Sequence, residues 1–482
     1  MSILSVAFLT FLLALAVVFH LAPVKIRPYI ILAGNIYFFL QFDWRYSIFL
    51  LFSIITTYLG ALAIERLERF KKATVALVMV LNVGVLFFVK YVPWLLGIAS
   101  NALSFDASGI IDRIIVPIGI SFYTLQVCGY CIDVYRGKYP AEKNIFKYAS
   151  FATFFPLMMQ GPISRFDQLG EQLWRKEKLQ NVYHNFTYGA QLMLWGFFKK
   201  MVIADRAALA VDTVFGNQYS YSGWAVFWAI LCYTLQIYAD FSGCVDISRG
   251  AAQLFGINII ENFKHPYFAT SIQDFWKRWH IALSSWLRDY VYIPLGGNRK
   301  GNVRKYVNML IVFFVSGLWH GVGYHYIVWG LLQGFYQIVG ALTLGIRKKI
   351  TGALRIERES TWFKNIQRFI TFVLVNISWV VFRANNTKGA VQLLLSVFTF
   401  APLPNRYIPG LDFLDTVVLV AATAVLFFVS YYQNKGYHIR DEIAKTVLPV
   451  RWVVYILAFL AVLVLGIYGP GFSASSFIYM NF

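Results

Sequence analysis

Seven histidines occur in the 482 residues, and His320, in Gly317-Leu-Trp-His-Gly321, is the one best suited to chemistry. A neutral imidazole titrates near pH 6.5 and can take a proton from an alcohol at neutral pH. His280 closes a second polar and aromatic run, Asp274-Phe-Trp-Lys-Arg-Trp-His280, and Ser284, Arg288 and Asp289 follow it. His320 and His325 are five residues apart, not the four that share a helix face, and no H-E-x-x-H occurs, so no metal site is expected. Cys128 and Cys131 form a C-x-x-C without a second pair at zinc spacing; with Cys232 and Cys244 they are too few for a disulfide framework and read as buried small residues. No G-x-x-x-x-G-K-[ST], G-x-G-x-x-G or G-x-S-x-G is present. ATP-driven transport, dinucleotide chemistry and the usual serine-hydrolase elbow therefore lose support, and no bound cofactor is expected.

These residues must be positioned by a membrane-embedded scaffold. The chain is 59% hydrophobic and only 14% charged, against about 25% charged in ordinary soluble domains. Its 44 Phe, 30 Tyr and 14 Trp exclude disorder. A crossing helix needs about 20 apolar residues. Such runs lie at 3–22, 44–64, 73–92, 185–204, 224–241, 326–346, 366–382, 415–432 and 451–468, with shorter ones at 28–41, 114–134, 146–162, 306–320 and 388–401. The reading is an all-α polytopic membrane protein with roughly 11 to 14 embedded helices. Residues 1–482 read as a single membrane domain, and the first run as a retained helix rather than a signal peptide.

The 43 Lys and Arg outnumber 23 Asp and Glu, for a net charge of +20. No nucleic-acid motif accompanies the excess, which fits basic cytoplasmic loops instead. Glu65–Lys72, Arg165–Lys178, Arg299–Lys305, Arg347–Arg358 and Lys435–Arg451 are candidates for that side. Ser100–Gly109, Gly216–Gly223 and the tail from Gly469 are poor in basic residues and fit the outside. Lys199 and Lys200 are expected to snorkel to an interface. Asp240 and Asp246 are expected to pair with Arg249 or with the basic residues of 277–288.

Residues 261–305 are too charged to span a bilayer and too aromatic for a loop in water, so they should lie at the interface or re-enter the membrane. Read as one helix from Ser271, Trp276, Trp279, Leu283, Trp286, Leu287 and Tyr290 share an aromatic face, while Lys277, His280, Ser284 and Arg288 share another. Pro294 and Gly296–Gly297 end it. The next apolar segment starts after Lys305, and the 15 residues to His320 rise about 22 Å, short of a hydrocarbon core of about 30 Å. His320 should then lie within the membrane thickness, either as a functional group or as a core histidine hydrogen-bonded across helices.

The sequence from Asp274 to His280, continued through Ser284-Ser-Trp-Leu-Arg-Asp-Tyr290 and Tyr292-Ile-Pro-Leu-Gly-Gly297 and followed by Gly317-Leu-Trp-His-Gly321, resembles the membrane-bound O-acyltransferase (MBOAT) family. It is most similar to that family's bacterial alginate O-acetylation branch. Further matches are Pro117–Thr124, Ile132–Gly137, Gly161-Pro-Ile163, Phe198–Asp205, Gln236–Gly243, Glu261-Asn-Phe263 and Phe477-Ile-Tyr479, and the similarity runs from about 115 to 340. The resemblance implies a ring of helices around a central funnel and tunnel in a bacterial cytoplasmic (inner) membrane. An acyl thioester, acetyl-CoA or an acyl carrier, would enter from the cytoplasm, and a polysaccharide acceptor and an extracytoplasmic acetyl-transfer partner protein would stand outside.

By the same resemblance His320 matches the catalytic histidine and His280 the second polar position, with Trp276, Trp279 and Trp319 as tunnel walls and Ser284, Arg288 and Asp289 as supporting or gating groups. Where the bacterial branch often carries a further histidine after Trp329-Gly330, this chain has Gln333. The implied activity is O-acetylation of a surface polysaccharide. D-alanyl transfer to teichoic acid from a carrier thioester uses the same motifs, and a transporter or flippase with His320 in its path is the non-enzymatic alternative.

Overall fold

The computed structural model describes residues 1–399, 401 and 407–468. The expected motif Phe477-Ile-Tyr479 and the tail from Gly469 lie outside the described residues. Every regular element among the described residues is helical. Among them, six helices are long and apolar enough to cross a membrane: Tyr46–Arg66, Glu68–Leu103, Trp224–Leu254, Thr361–Arg383, Phe413–Asn434 and Leu448–Leu465. A seventh results if Tyr324–Leu342 and Leu344–Ala353, bent by 47°, form one span. The protein is thus a polytopic all-α membrane protein. Its shorter apolar runs differ from crossing helices in what buries them. Ile120–Tyr135 is buried by protein along almost its whole length, and the run at 146–162 breaks into Ile145–Ala152 and Phe155–Met158. Apolar length alone does not separate burial in protein from burial in lipid.

The chain forms two compact units, residues 1–193 with 245–260, and 194–244 with 261–482. In the first, Thr57 and Tyr148 share a hydroxyl hydrogen bond of 2.6 Å, and the Cys131 thiol lies 3.3 Å from the Thr57 carbonyl. All four cysteines are buried free thiols. Asn35 accepts the Phe155 backbone N–H at 3.1 Å and so ties the helix Arg27–Leu40 to the break after Ile145–Ala152.

The second unit contains the candidate site, and close backbone packing builds it. Helices Gly301–His320 and Tyr324–Leu342 form an antiparallel pair joined by a glycine-rich turn. A Cβ on Gly317 would come 2.4 Å from the Tyr326 carbonyl oxygen, and one on Gly330 would come 2.3 Å from that of Phe313. Only glycine lets the two backbones meet this closely. Gly323, with φ of 138°, makes the turn. The helix starts at Gly301 rather than after Lys305, and its 20 residues rise about 30 Å, the full hydrocarbon thickness. His320, at its C-terminal end, is buried in protein and only 2% exposed.

The expectation for the two lysines is also overturned. Lys199 and Lys200 lie in a π-helical stretch, Phe198–Ala204, and both are buried. Lys200 bridges Asp205 at 2.7 Å and Asp240 at 2.8 Å, while Lys199 donates to the Ser242 hydroxyl at 3.0 Å. Carboxylates inside the unit hold the ammonium in place, so it has no reason to snorkel. Asp246 pairs with Arg249 at 3.5 Å, as expected.

Candidate functional site

The segment 271–292 is not one helix. It folds as Ile272–Arg278 and Ile281–Leu287, followed by a π turn at Arg288–Tyr292. The Ser271 hydroxyl caps the first piece by accepting the Asp274 N–H. Trp279 is extended and His280 takes left-handed angles, φ 47° and ψ 52°. For a histidine this conformation costs about 1–3 kcal/mol unless its surroundings hold it.

The extended segment after Ile260 provides that hold. Lys264 N–H donates to the Arg278 carbonyl at 2.9 Å and Ile281 N–H to the Asn262 carbonyl at 3.0 Å. The Asn262 side-chain oxygen accepts the Ala282 N–H at 3.0 Å. Backbone groups freed by the break are thus satisfied by the neighbouring irregular stretch at 262–264. The three- and four-residue apolar spacing continues through this break, which is why periodicity suggested one helix. As a result His280 does not share a face with Lys277, Ser284 and Arg288.

Asn262 also sets the tautomer of His280. Its oxygen is identified by the Ala282 N–H that it accepts, so the His280 Nδ1 lying 3.3 Å from it must be the protonated nitrogen. The ring lone pair is then on Nε2. His280 is fully buried, which pushes its pKa down to about 3 and keeps it neutral at physiological pH.

The structure brings His280 and His320 together, with ring centroids 6.3 Å apart. Trp319 lies against both, at 5.9 Å from His280 and 5.0 Å from His320. Trp329, at 5.0 Å, and Phe382, at 5.5 Å, also contact the His320 ring. Phe241 packs edge-on to His280 at 4.8 Å. An imidazole base in an aromatic enclosure can take a proton without competition from bulk water.

Of the other expected residues, Trp276 and Trp279 are buried in the same aromatic cluster, and Trp276 contacts Trp329 at 5.9 Å. Ser284 is half-buried, and its hydroxyl donates to the Trp279 carbonyl at 3.4 Å, supporting the break. Arg288 is exposed and pairs with the half-buried Asp289 at 2.8 Å. The His325 ring lies against Tyr326, with centroids 4.0 Å apart and planes tilted by 44°.

Gln333 occupies a structural position of its own. Its side-chain oxygen accepts the Trp276 indole N–H at 3.1 Å, and its nitrogen donates to the Ser378 hydroxyl at 2.7 Å. Ser378 in turn donates to the Val375 carbonyl at 2.7 Å. This buried chain ties Ile272–Arg278 to Tyr324–Leu342 and Thr361–Arg383, and an amide with both a donor and an acceptor completes it. Asn262, Trp329, Ser378 and Phe382 were not singled out as site residues from the sequence. Asn262 had a signal there, the matched Glu261-Asn-Phe263; Ser378 and Phe382 had none.

Asn262→Ala removes the acceptor for both Ala282 and His280. The expected result is a rate lower by about 100-fold through loss of alignment, with the donor KM changed far less. Steady-state rates of acyl transfer in membranes carrying equal amounts of each chain test this, and a wild-type rate would show that the break holds its shape without Asn262.

The membrane-bound O-acyltransferase family model matches residues 142–380. A protein of Pseudomonas syringae described as "Probable alginate O-acetylase AlgI" is 39% identical over 331 residues, 68% of this chain and 61% of the relative. The chain therefore spans less than two thirds of that relative's length. The Pseudomonas aeruginosa protein of the same description is 34% identical over 433 residues, 86% of this chain and 79% of the relative. A peptidoglycan O-acetyltransferase of Helicobacter pylori is 33% identical over 398 residues, 77% and 73% of the two chains.

Proposed function

The chain belongs to the membrane-bound O-acyltransferase family, and from that premise we propose that it is a histidine-dependent O-acetyltransferase of a bacterial inner membrane. It moves an acetyl group from a cytoplasmic thioester, acetyl-CoA or an acyl carrier, across the membrane for O-acetylation of a cell-surface or exopolysaccharide such as alginate. An extracytoplasmic partner protein completes delivery. The observation that carries this reading is the buried pair of His320 and His280 inside a tryptophan enclosure. The alginate O-acetylase relatives support the acetyl group and the acceptor class.

In this mechanism His320 is the general base. It takes the proton of the attacking hydroxyl and returns it to the departing thiolate. His280, with its lone pair on Nε2, accepts a hydrogen bond from the hydroxyl and orients it. Trp319, against both rings, helps to exclude water from the reacting groups. The 33% identity to a peptidoglycan O-acetyltransferase favours peptidoglycan as a second acceptor.

Membranes carrying the chain, supplied with labelled acetyl thioester or labelled D-alanyl carrier thioester, test the donor. Label is expected in glycan from the acetyl donor. Label from the D-alanyl donor alone would replace this reading with teichoic acid D-alanylation.

A further inference from the structure

Three buried indoles, Trp276, Trp329 and Trp379, pack together next to His320, which Trp329 contacts, and their N–H groups are treated differently. Trp276 donates to Gln333. The N–H groups of Trp329 and Trp379 meet no acceptor among the described residues, although these rings are 0% and 1% exposed. A buried indole N–H normally finds a partner, and one left unmet costs the folded protein stability. The same cluster satisfies Trp276, so it is not generally short of acceptors.

Of the two unmet donors, Trp329 contacts the candidate base. Its ring centroid is 5.0 Å from that of His320, with the planes at 89°. Phe382 at 5.0 Å and Trp379, stacked at 6.1 Å, pack around it. These apolar faces lower the local dielectric and strengthen any hydrogen bond that the indole makes. An indole N–H only donates, so an acceptor on a bound substrate is a partner that it can meet. Trp329 is fixed by Gly330, whose missing Cβ lets the helix meet the backbone of Phe313. The donor is therefore held rigidly, as charge stabilisation requires.

Resting on the acyl-transfer reading, we propose that the Trp329 indole N–H donates to the carbonyl oxygen of the acyl thioester and stabilises the negative charge that develops there. The acceptor's hydroxyl oxygen forms a bond to the carbonyl carbon as its proton passes to His320. The carbonyl electron pair moves onto the oxygen, where Trp329 meets it. The pair then returns, the carbon–sulfur bond breaks, and the thiolate takes the proton from the imidazolium. No oxidation or reduction occurs.

The test replaces Trp329 in the full-length chain with 3-benzothienylalanine, which keeps the bicyclic shape and removes only the N–H; Trp329→Phe is a second variant. Transfer of label from acetyl-CoA to glycan is measured in membranes with chain amounts matched. The expected result for the analogue is a kcat lower by about 100-fold, with the acetyl-CoA KM within about twofold of wild type. A kcat within about threefold of wild type would overturn the assignment, as would a loss seen with Trp329→Phe but not with the analogue, which is the signature of packing alone. His320→Ala separates the levels. If it is inactive while the analogue is fully active, only the Trp329 assignment falls; if it is as active as wild type, the histidine-dependent reading falls with it.

Discussion

His320→Ala is expected to lower acyl transfer by about 10²–10⁴-fold, the range that a positioned acid–base group contributes. The side chain is 2% exposed at the C-terminal end of Gly301–His320, where Trp319, Trp329 and Phe382 enclose it. Replacing the imidazole by a methyl group removes one side chain from an aromatic enclosure, and the protein should still insert and fold. Transfer measured per mole of membrane-embedded chain separates the two effects. His320→Gln is the companion variant: its amide can hydrogen-bond but cannot act as a base near neutral pH, and it should be as inactive as Ala. A normal rate in either variant, at wild-type protein levels, would mean that His320 is a core histidine.

Lys200→Met is expected to give the largest loss of stability. The lysine is 1% exposed and holds two buried carboxylates, Asp205 and Asp240, at 2.7 and 2.8 Å. Breaking a buried pair by removing one partner costs about 3–5 kcal/mol, because the remaining charge loses its counter-ion; here two carboxylates would lose the Lys200 ammonium. The unit should unfold at a clearly lower temperature in detergent, followed by tryptophan fluorescence. Adding Asp205→Asn and Asp240→Asn to Lys200→Met removes the two carboxylate charges and should recover most of the loss. A single variant as stable as wild type would show that the carboxylates find protons or other cations.

The motifs made the family legible in the sequence. In Gly317-Leu-Trp-His-Gly321 the backbone contact at Gly317 and the placement of His320 belong to one short helix end. Apolar run length located the membrane helices, but it did not separate a helix buried by protein, such as Ile120–Tyr135, from one that crosses lipid. The break at Trp279–His280 was hidden because aromatic residues keep helical spacing across it. What creates the break is Asn262, 18 residues upstream, and no local pattern encodes that partnership. Lys200 was misread for the same reason: its partner Asp240 is 40 positions away in sequence. Gln333 was legible as a departure from the family, yet its bond to Trp276 depended on the helix packing that brings them together.

The most direct test of the central claim is the O-acetyl content of the cell-surface glycan, measured by mass spectrometry in a strain with and without the gene and in the deletion strain complemented by wild type or His320→Ala. The predicted result is loss of O-acetyl groups on deletion, restored by the wild-type chain and not by the His320→Ala chain present at equal level. An acetyl content unchanged by deletion would contradict the proposal that this chain is a surface-glycan O-acetyltransferase.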